Sequence, residues 1–210
     1  MNPVFTDEAI HVDHAPPPVQ RIDDTRGSYG MLLFITTEAA LFLFMFFAYY
    51  YIEKGNERWQ IQEPPPLYYA LPMLGLLTLA CVALWWGQKR AVRRKAFSAR
   101  LSLIAAIVLG LSYLALDYFD TSKHLLHVSP FMSAYASTFY TITTLHAGHV
   151  ILGILMLFWV LALPESKWEP VQKPPHRVYY NVLLYWYFLT ALWLVTVAIL
   201  YIGPNVYKSL

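Results

Sequence analysis

Between residues 29 and 202 the chain alternates five long apolar stretches with short polar connections. The stretches cover about 29–52, 67–87, 101–119, 131–163 and 178–202. Each is apolar around its whole circumference rather than along one stripe. At about 1.5 Å per residue, each is long enough to cross roughly 30 Å of hydrocarbon. A membrane β-strand would be about ten residues long with alternating polarity, so the pattern predicts helices. The expected fold is an all-α integral membrane bundle of five transmembrane helices. It occupies residues 28–210, behind a polar, flexible N-terminal tail over 1–27. The fourth stretch exceeds the bilayer thickness, which predicts tilt or a helix end standing among the headgroups.

Composition supports this reading. Of 210 residues, 58% are hydrophobic and only 13% charged, where a soluble domain carries about 25% charged residues. The aromatic share of 17% suits long interfacial belts. A net charge of +2 is too slight to imply a nucleic-acid partner. The single cysteine, Cys81, lies inside an apolar run, so no disulfide or cysteine-based metal site is expected within the chain. Residues 1–27 are polar and acidic, contain Pro16, Pro17 and Pro18, and have no apolar core of a signal peptide. Their His11 and His14 read as part of a solvated tail.

The distribution of positive charge predicts the orientation. With five spans, the tail, the second connection and the fourth share one side. That side carries Arg21 and Arg26, then Lys89, Arg90, Arg93, Arg94, Lys95 and Arg100, then Lys167, Lys173 and Arg177. The other side carries only Lys54, Arg58, Lys123 and Lys208. The amino terminus is expected in the cytoplasm and the carboxyl terminus outside. The run from Lys89 to Arg100 reads as a topology signal in contact with phospholipid headgroups. Aromatic pairs mark the same boundaries: Tyr49 to Tyr51 close the first stretch, Tyr68 and Tyr69 open the second, and Trp85 and Trp86 close it. Pro64, Pro65 and Pro66 stiffen the turn between those two stretches.

Few polar groups interrupt the spans. Glu38 sits near mid-depth in the first, where an ionised acid costs on the order of 2.5–3.5 kcal/mol by insertion scales. It reads equally as a proton-handling or gating acid and as a neutral acid hydrogen-bonded between helices. In the fourth stretch His146 and His149 are three residues apart, at a depth comparable to Glu38. A Glu–His contact across two helices would satisfy both groups. Two histidines on one helix make a poor metal site, because haem or copper needs ligands from other helices, and no other span holds a histidine. His124 and His127 are expected in the third connection and His176 in the fourth. Asp117 and Asp120 are expected at the outer interface, solvated. Ala147, Gly148 and Gly153 in the fourth stretch, with Gly75, Thr78 and Ala80 in the second, would allow close helix approach.

Several phrases together resemble subunit III of the haem–copper oxidases, in its five-helix bacterial form. Residues 34–42, Phe-Ile-Thr-Thr-Glu-Ala-Ala-Leu-Phe, followed by Phe46-Phe47-Ala48-Tyr49-Tyr50, look like the family's Ser-Glu-x-x-x-Phe leading to Phe-x-Ala-Tyr-Phe. Pro65-Pro66-Leu67-Tyr68-Tyr69 is similar to its proline-rich entry to the next helix. Tyr135-Ala136-Ser137-Thr138-Phe139-Tyr140 and His146-Ala147-Gly148-His149-Val150 resemble its Tyr-x-Ser-x-Phe-Tyr and His-Gly-x-His-Val phrases. Tyr185-Trp186-Tyr187-Phe188, with Trp193, resembles the closing Tyr-Trp-His-Phe-Val-Asp-x-x-Trp, except that Tyr187 and Thr190 stand where that phrase has His and Asp. Ala147 replaces a usual Gly.

The resemblance implies a non-catalytic subunit of a terminal oxidase in the bacterial cytoplasmic membrane. Such a subunit binds no haem, copper or other metal of its own, since those belong to partner subunits. It packs against the catalytic subunit I and other oxidase subunits, holds phospholipids and supports proton uptake during aerobic respiration, in some cases within a larger respiratory supercomplex. On this reading Glu38 matches the family's buried carboxylate, and His146 and His149 its histidine phrase. Two alternatives stay open: an accessory subunit of a quinol oxidase or nitric oxide reductase, and a small proton-coupled transporter. Against the transporter stand the absence of internal repeats and the scarcity of intramembrane polar groups.

Overall fold

The computed structural model describes residues 26–55, 59, 67–93, 95–127, 129–131, 133–163 and 176–204. Five helices follow in order: α1 (Arg26–Gly55), α2 (Leu67–Val92), α3 (Ala96–His127), α4 (Ala134–Leu161) and α5 (His176–Thr196). The last runs on into a π-helical segment, Val197–Ile202. Each of the five is long and apolar enough to cross a membrane, and no strand occurs among the described residues. The tail expected over 1–27 and the proline turn at 64–66 fall on residues outside that description, apart from Arg26 and Gly27, which begin α1.

The helices overrun the apolar stretches because backbone hydrogen bonding does not stop where lipid-soluble side chains do. The clearest case is α3, expected over 101–119 and observed from Ala96 to His127. His124 and His127, expected in a connection, are therefore helical. At the other extreme α4 is shorter than its apolar run. It begins where Ser133, in extended conformation, accepts a hydrogen bond from the Ala136 amide at 3.1 Å, satisfying one of the donors that a helix start leaves open. Within the spans, hydroxyls bond back to their own helices, as Thr36 does to the Leu32 carbonyl, Thr78 to that of Leu74 and Thr143 to that of Phe139. In lipid this is the cheapest way to satisfy a hydroxyl.

Helix α5 holds the bundle together. It touches α1, α2 and α4 directly, and Trp186 reaches α3 at Gly110. Half of its membrane window is buried, against 11% for α1. Lipid tails are as apolar as leucine, so association rests on close packing rather than on escape from water. Large rings therefore need matching hollows. A methyl group at Gly110 would stand 2.8 Å from Trp186, and one at Gly153 would stand 3.2 Å from Leu189. At Gly87 it would overlap the Ser102 and Tyr179 hydroxyls, which meet each other at 2.6 Å. Of the small residues expected to serve this purpose, Gly153 and Ala80 are buried, whereas Gly75 and Gly148 face open space within this chain. Gly87 and Gly110 were not singled out by the sequence, since nothing local distinguishes a glycine that receives a ring from one that faces lipid.

Candidate functional site

The polar groups of the spans resolve into two sites on either side of α4. The first joins α1 to α4. Glu38 Oε2 lies 2.7 Å from His149 Nε2, and neither side chain is wholly enclosed. The other ring nitrogen, Nδ1, faces the Leu145 carbonyl at 2.7 Å. A carbonyl oxygen only accepts, so Nδ1 carries a hydrogen and donates it. Nε2 then has two consistent states. It accepts from a protonated Glu38 carboxyl, or it donates, as imidazolium, to a carboxylate. Both place one proton between the two residues, and both leave the pair without net charge. A carboxylate facing a bare Nε2 would set lone pair against lone pair and strand a charge in the bilayer. The pair is therefore a hydrogen bond that joins two helices within the spans. The Phe42 ring meets the imidazole edge-on at 5.2 Å, and the Tyr185 hydroxyl donates to the His149 carbonyl at 3.1 Å, so α5 supports the site from behind. A groove of about 800 Å³ borders His149 along α4, with Tyr140, Thr141, Thr144 and Gly148 in its wall.

The second site lies between α3, α4 and α5. His146 is fully buried. Its Nε2 stands 3.2 Å from the Leu189 carbonyl and its Nδ1 2.9 Å from the Tyr113 hydroxyl. Donation to the carbonyl fixes the hydrogen on Nε2, and Nδ1 accepts from Tyr113, so a neutral imidazole satisfies every partner. Trp193 packs against His146 at 5.0 Å and against Tyr113 at 5.4 Å, and its indole donates to the Ala70 carbonyl of α2 at 3.3 Å. The two histidines are thus separated by function of geometry. Glu38 meets His149 and not His146. Three residues advance the helix by about 300°, so the two side chains leave α4 about 60° apart, enough to send one ring toward α1 and the other into the core.

Toward the C-terminal end of α3, Asp120 departs from the solvated position expected of it. It is 4% exposed and accepts from the Tyr201 hydroxyl at 3.3 Å, because α3 continues past it and the π-helical segment of α5 packs over it. Asp117 is half-buried. Lys123 donates to the Tyr69 hydroxyl at 2.6 Å, tying α3 to α2. Tyr113, Tyr185 and Tyr201 were not picked out from the sequence as polar partners. A tyrosine in mid-span, as Tyr113 is, was the available signal.

The basic residues take separate places. Lys89 Nζ lies 3.5 Å over the Trp85 ring and Arg90 lies 4.5 Å over Trp86. Arg93 and Lys95 are exposed. Arg100 is half-buried and reaches the Leu163 carbonyl beyond α4 at 3.5 Å. Arg94 lies outside the described residues. Among the described residues no three His, Cys, Asp or Glu side chains converge to hold a metal ion.

Comparison with known proteins meets this geometry over nearly its whole length. The family model described as cytochrome c oxidase subunit III matches residues 8–204. Among similar proteins, cytochrome c oxidase subunit 3 of Xenopus laevis is 30% identical over 198 residues, 89% of this chain and 72% of that protein. The subunit 3 of Corynebacterium diphtheriae is 30% identical over 80% of this chain and 83% of its own length. That of Synechocystis is 26% identical over 96% and 83%. A bundle of five membrane-length helices, matched from before its first helix to the end of its last, belongs to the cytochrome c oxidase subunit III family.

Proposed function

We propose that this chain is the non-catalytic subunit III of a haem–copper terminal oxidase in a bacterial cytoplasmic membrane. The family match over residues 8–204 is the observation that carries the reading. The chain packs against the catalytic subunit I, and haem and copper reside on partner subunits. The amino terminus is cytoplasmic, which puts Lys89, Arg90, Arg93, Arg94, Lys95 and Arg100 at the level of the inner-leaflet headgroups. The exposure of Arg93 and Lys95 and the seating of Lys89 and Arg90 over interfacial tryptophans support that role.

Glu38 and His149 hold α1 to the bundle through a hydrogen bond across the spans. An acid and an imidazole in contact there supply the kind of group that a proton-uptake path needs nearby. His146 is the positioning residue behind it, keeping α3, α4 and α5 in register. The subunit thereby stabilises subunit I and supports proton delivery during turnover.

The test is a mild-detergent pull-down of the chain, with an optical spectrum and mass spectrometry of what accompanies it. Haem absorption with a large co-purifying oxidase subunit is the expected result, and the donor subunit then distinguishes a cytochrome c oxidase from a quinol oxidase. A colourless, solitary 24.2 kDa protein would overturn the proposal and favour an independent transporter. Orientation is checked separately by accessibility of single cysteines introduced at Lys95 and Gly55 to a membrane-impermeant thiol reagent, with labelling of position 55 alone from the outside expected.

A further inference from the structure

From the middle of the bundle to the end where α1 finishes, aromatic rings of four helices touch in an unbroken series. Tyr113 of α3 meets Trp193 of α5 with ring centroids 5.4 Å apart, and Trp193 meets Tyr201 at 6.1 Å. Phe139 of α4 bridges Tyr201 at 5.6 Å and Tyr135 at 6.1 Å. Tyr135 in turn meets Trp59, beyond the end of α1, at 5.5 Å, and Tyr49 touches both. All are buried except Trp59, which is half-buried. Packing asks only for rings of the right shape and edge-to-face geometry, and Phe would serve at each place. Apart from Phe139, every ring here is a phenol or an indole, the aromatic side chains that give up an electron most readily.

The hydroxyls supply the second ingredient. A phenol yields its electron readily only when its proton has a base to go to. The Tyr113 hydroxyl donates to His146 Nδ1 at 2.9 Å, and the Tyr201 hydroxyl to Asp120 Oδ2 at 3.3 Å. These are the two tyrosines that flank Trp193. The Tyr135 hydroxyl has no hydrogen-bond partner among the described residues, so an electron vacancy gains nothing by stopping there. We propose that Tyr113, Trp193 and Tyr201, continued by Tyr135, Tyr49 and Trp59, form a redox relay that carries a one-electron oxidising equivalent from the bundle core to its end. The oxidant is of the high-potential one-electron class formed where oxygen is reduced stepwise, and the compensating electron comes from a reductant at the Trp59 end. When Trp193 has lost an electron, Tyr113 replaces it and passes its hydroxyl proton to His146 Nδ1. Trp193 is restored, Tyr113 becomes a neutral phenoxyl radical, and His146 becomes an imidazolium that still donates from Nε2 to the Leu189 carbonyl. Because His146 is fully enclosed, the proton stays beside the radical and returns to it with the next electron. The source of the oxidant rests on the proposed function, whereas the relay is tested without it.

The experiment uses the full chain in nanodiscs, with a cysteine introduced at Gly55, at the exposed end of α1, carrying a ruthenium(II) polypyridyl photosensitiser. Cys81 is buried and does not compete for the label. A flash in the presence of an irreversible cobalt(III) acceptor leaves ruthenium(III), and the radicals formed are trapped by freezing and read by electron paramagnetic resonance. The expected result is a tyrosyl radical whose spectrum changes when histidine nitrogen is isotopically labelled, together with a second tyrosyl radical that does not respond. His149 contributes none of this response, because Tyr185 meets its backbone carbonyl rather than its ring. Tyr113→Phe should remove the histidine-sensitive radical and leave the other, on Tyr201. Tyr201→Phe should lower the yield of both. Where that variant fails to fold, Asp120→Asn carries the test: it keeps an oxygen for the Tyr201 hydroxyl but no base for its proton, and should abolish the second radical, which a purely structural hydrogen bond would not predict. Radicals confined to Tyr50 and Tyr51 on the exposed face of α1, insensitive to histidine labelling and unchanged in Tyr113→Phe and Asp120→Asn, would overturn the proposal. No partner subunit takes part in this measurement, so its failure leaves the oxidase assignment intact, and failure to recover haem in the pull-down leaves the relay intact.

Discussion

His146 and His149 are the same residue type, on the same helix, less than one turn apart, yet they do opposite things. His146 is sealed among Tyr113, Trp193 and the Leu189 carbonyl, where a neutral ring satisfies all its partners. His149 reaches out to Glu38 on α1, the least buried helix, and hydrogen-bonds to it at 2.7 Å. The first site is a keystone, because removing it breaks hydrogen bonds to two other helices. The second is a latch, because it crosses to the least buried helix, which otherwise docks through apolar contacts of Phe34, Phe42 and Phe46. A buried histidine in a membrane helix is therefore not one kind of residue. What it does depends on whether its hydrogen bonds close within the core or cross to an element that is free to leave.

The largest expected effect comes from breaking the keystone. His146→Leu leaves the Tyr113 hydroxyl without its acceptor in the core, at about 1–3 kcal/mol for the orphaned group, takes a second donor from the Leu189 carbonyl, and should lower thermal stability in detergent by several degrees. Differential scanning fluorimetry of the purified chain checks this. An unchanged melting temperature would remove His146 from its structural role.

Next is the latch. Glu38→Ala leaves His149 Nε2 without a partner and should cost about 1–2 kcal/mol, expressed as faster proteolysis or exchange of α1 alone. Glu38→Gln offers an amide donor to the same nitrogen and should retain most of the docking. The two variants, compared by hydrogen exchange resolved along the chain, separate loss of the hydrogen bond from loss of the proton. If Gln is as damaging as Ala, a hydrogen bond to His149 is not by itself what docks α1.

A smaller contrast sharpens the comparison between the sites. Tyr113→Phe removes a donor to a buried ring and should cost about 1 kcal/mol, whereas Tyr185→Phe removes only a donor to the His149 carbonyl and should cost less. Equal losses in a chemical-unfolding series would mean that the two sites are one network. Smallest of all, Ser28→Ala breaks the 3.1 Å bond to Asn181 at the N-terminal end of α1, worth about a few tenths of a kcal/mol, and should increase exchange at the start of α1 without changing the melting temperature.

Much of this molecule was legible before any coordinates. Five spans were countable because a membrane helix must be apolar all round and must satisfy its backbone internally, and both requirements are written locally. Glu38, His146 and His149 stood out because polar groups in hydrocarbon are costly enough to need a reason. The ends were less legible: α3 runs eight residues past its apolar stretch, from 119 to His127, because helix formation does not require hydrophobicity. Asp120 read as a solvated carboxylate and is buried under the π-helical end of α5, since its environment is made by residues more than seventy positions away.

The sequence by itself determined the class, the number of spans and the residues at which lipid would be a poor solvent. It carried enough of the family's phrases to name the relatives. Only the tertiary structure decided which histidine faces Glu38, which glycines receive rings and which face open space, and that the departures at Tyr187 and Thr190 open onto a groove between α2 and α5. The physical reason is common to all three. Hydrophobicity is a property of a residue and its near neighbours along the chain, whereas a partner is a property of position in space, set by how five nearly featureless cylinders rotate against one another to fit their rings into their hollows.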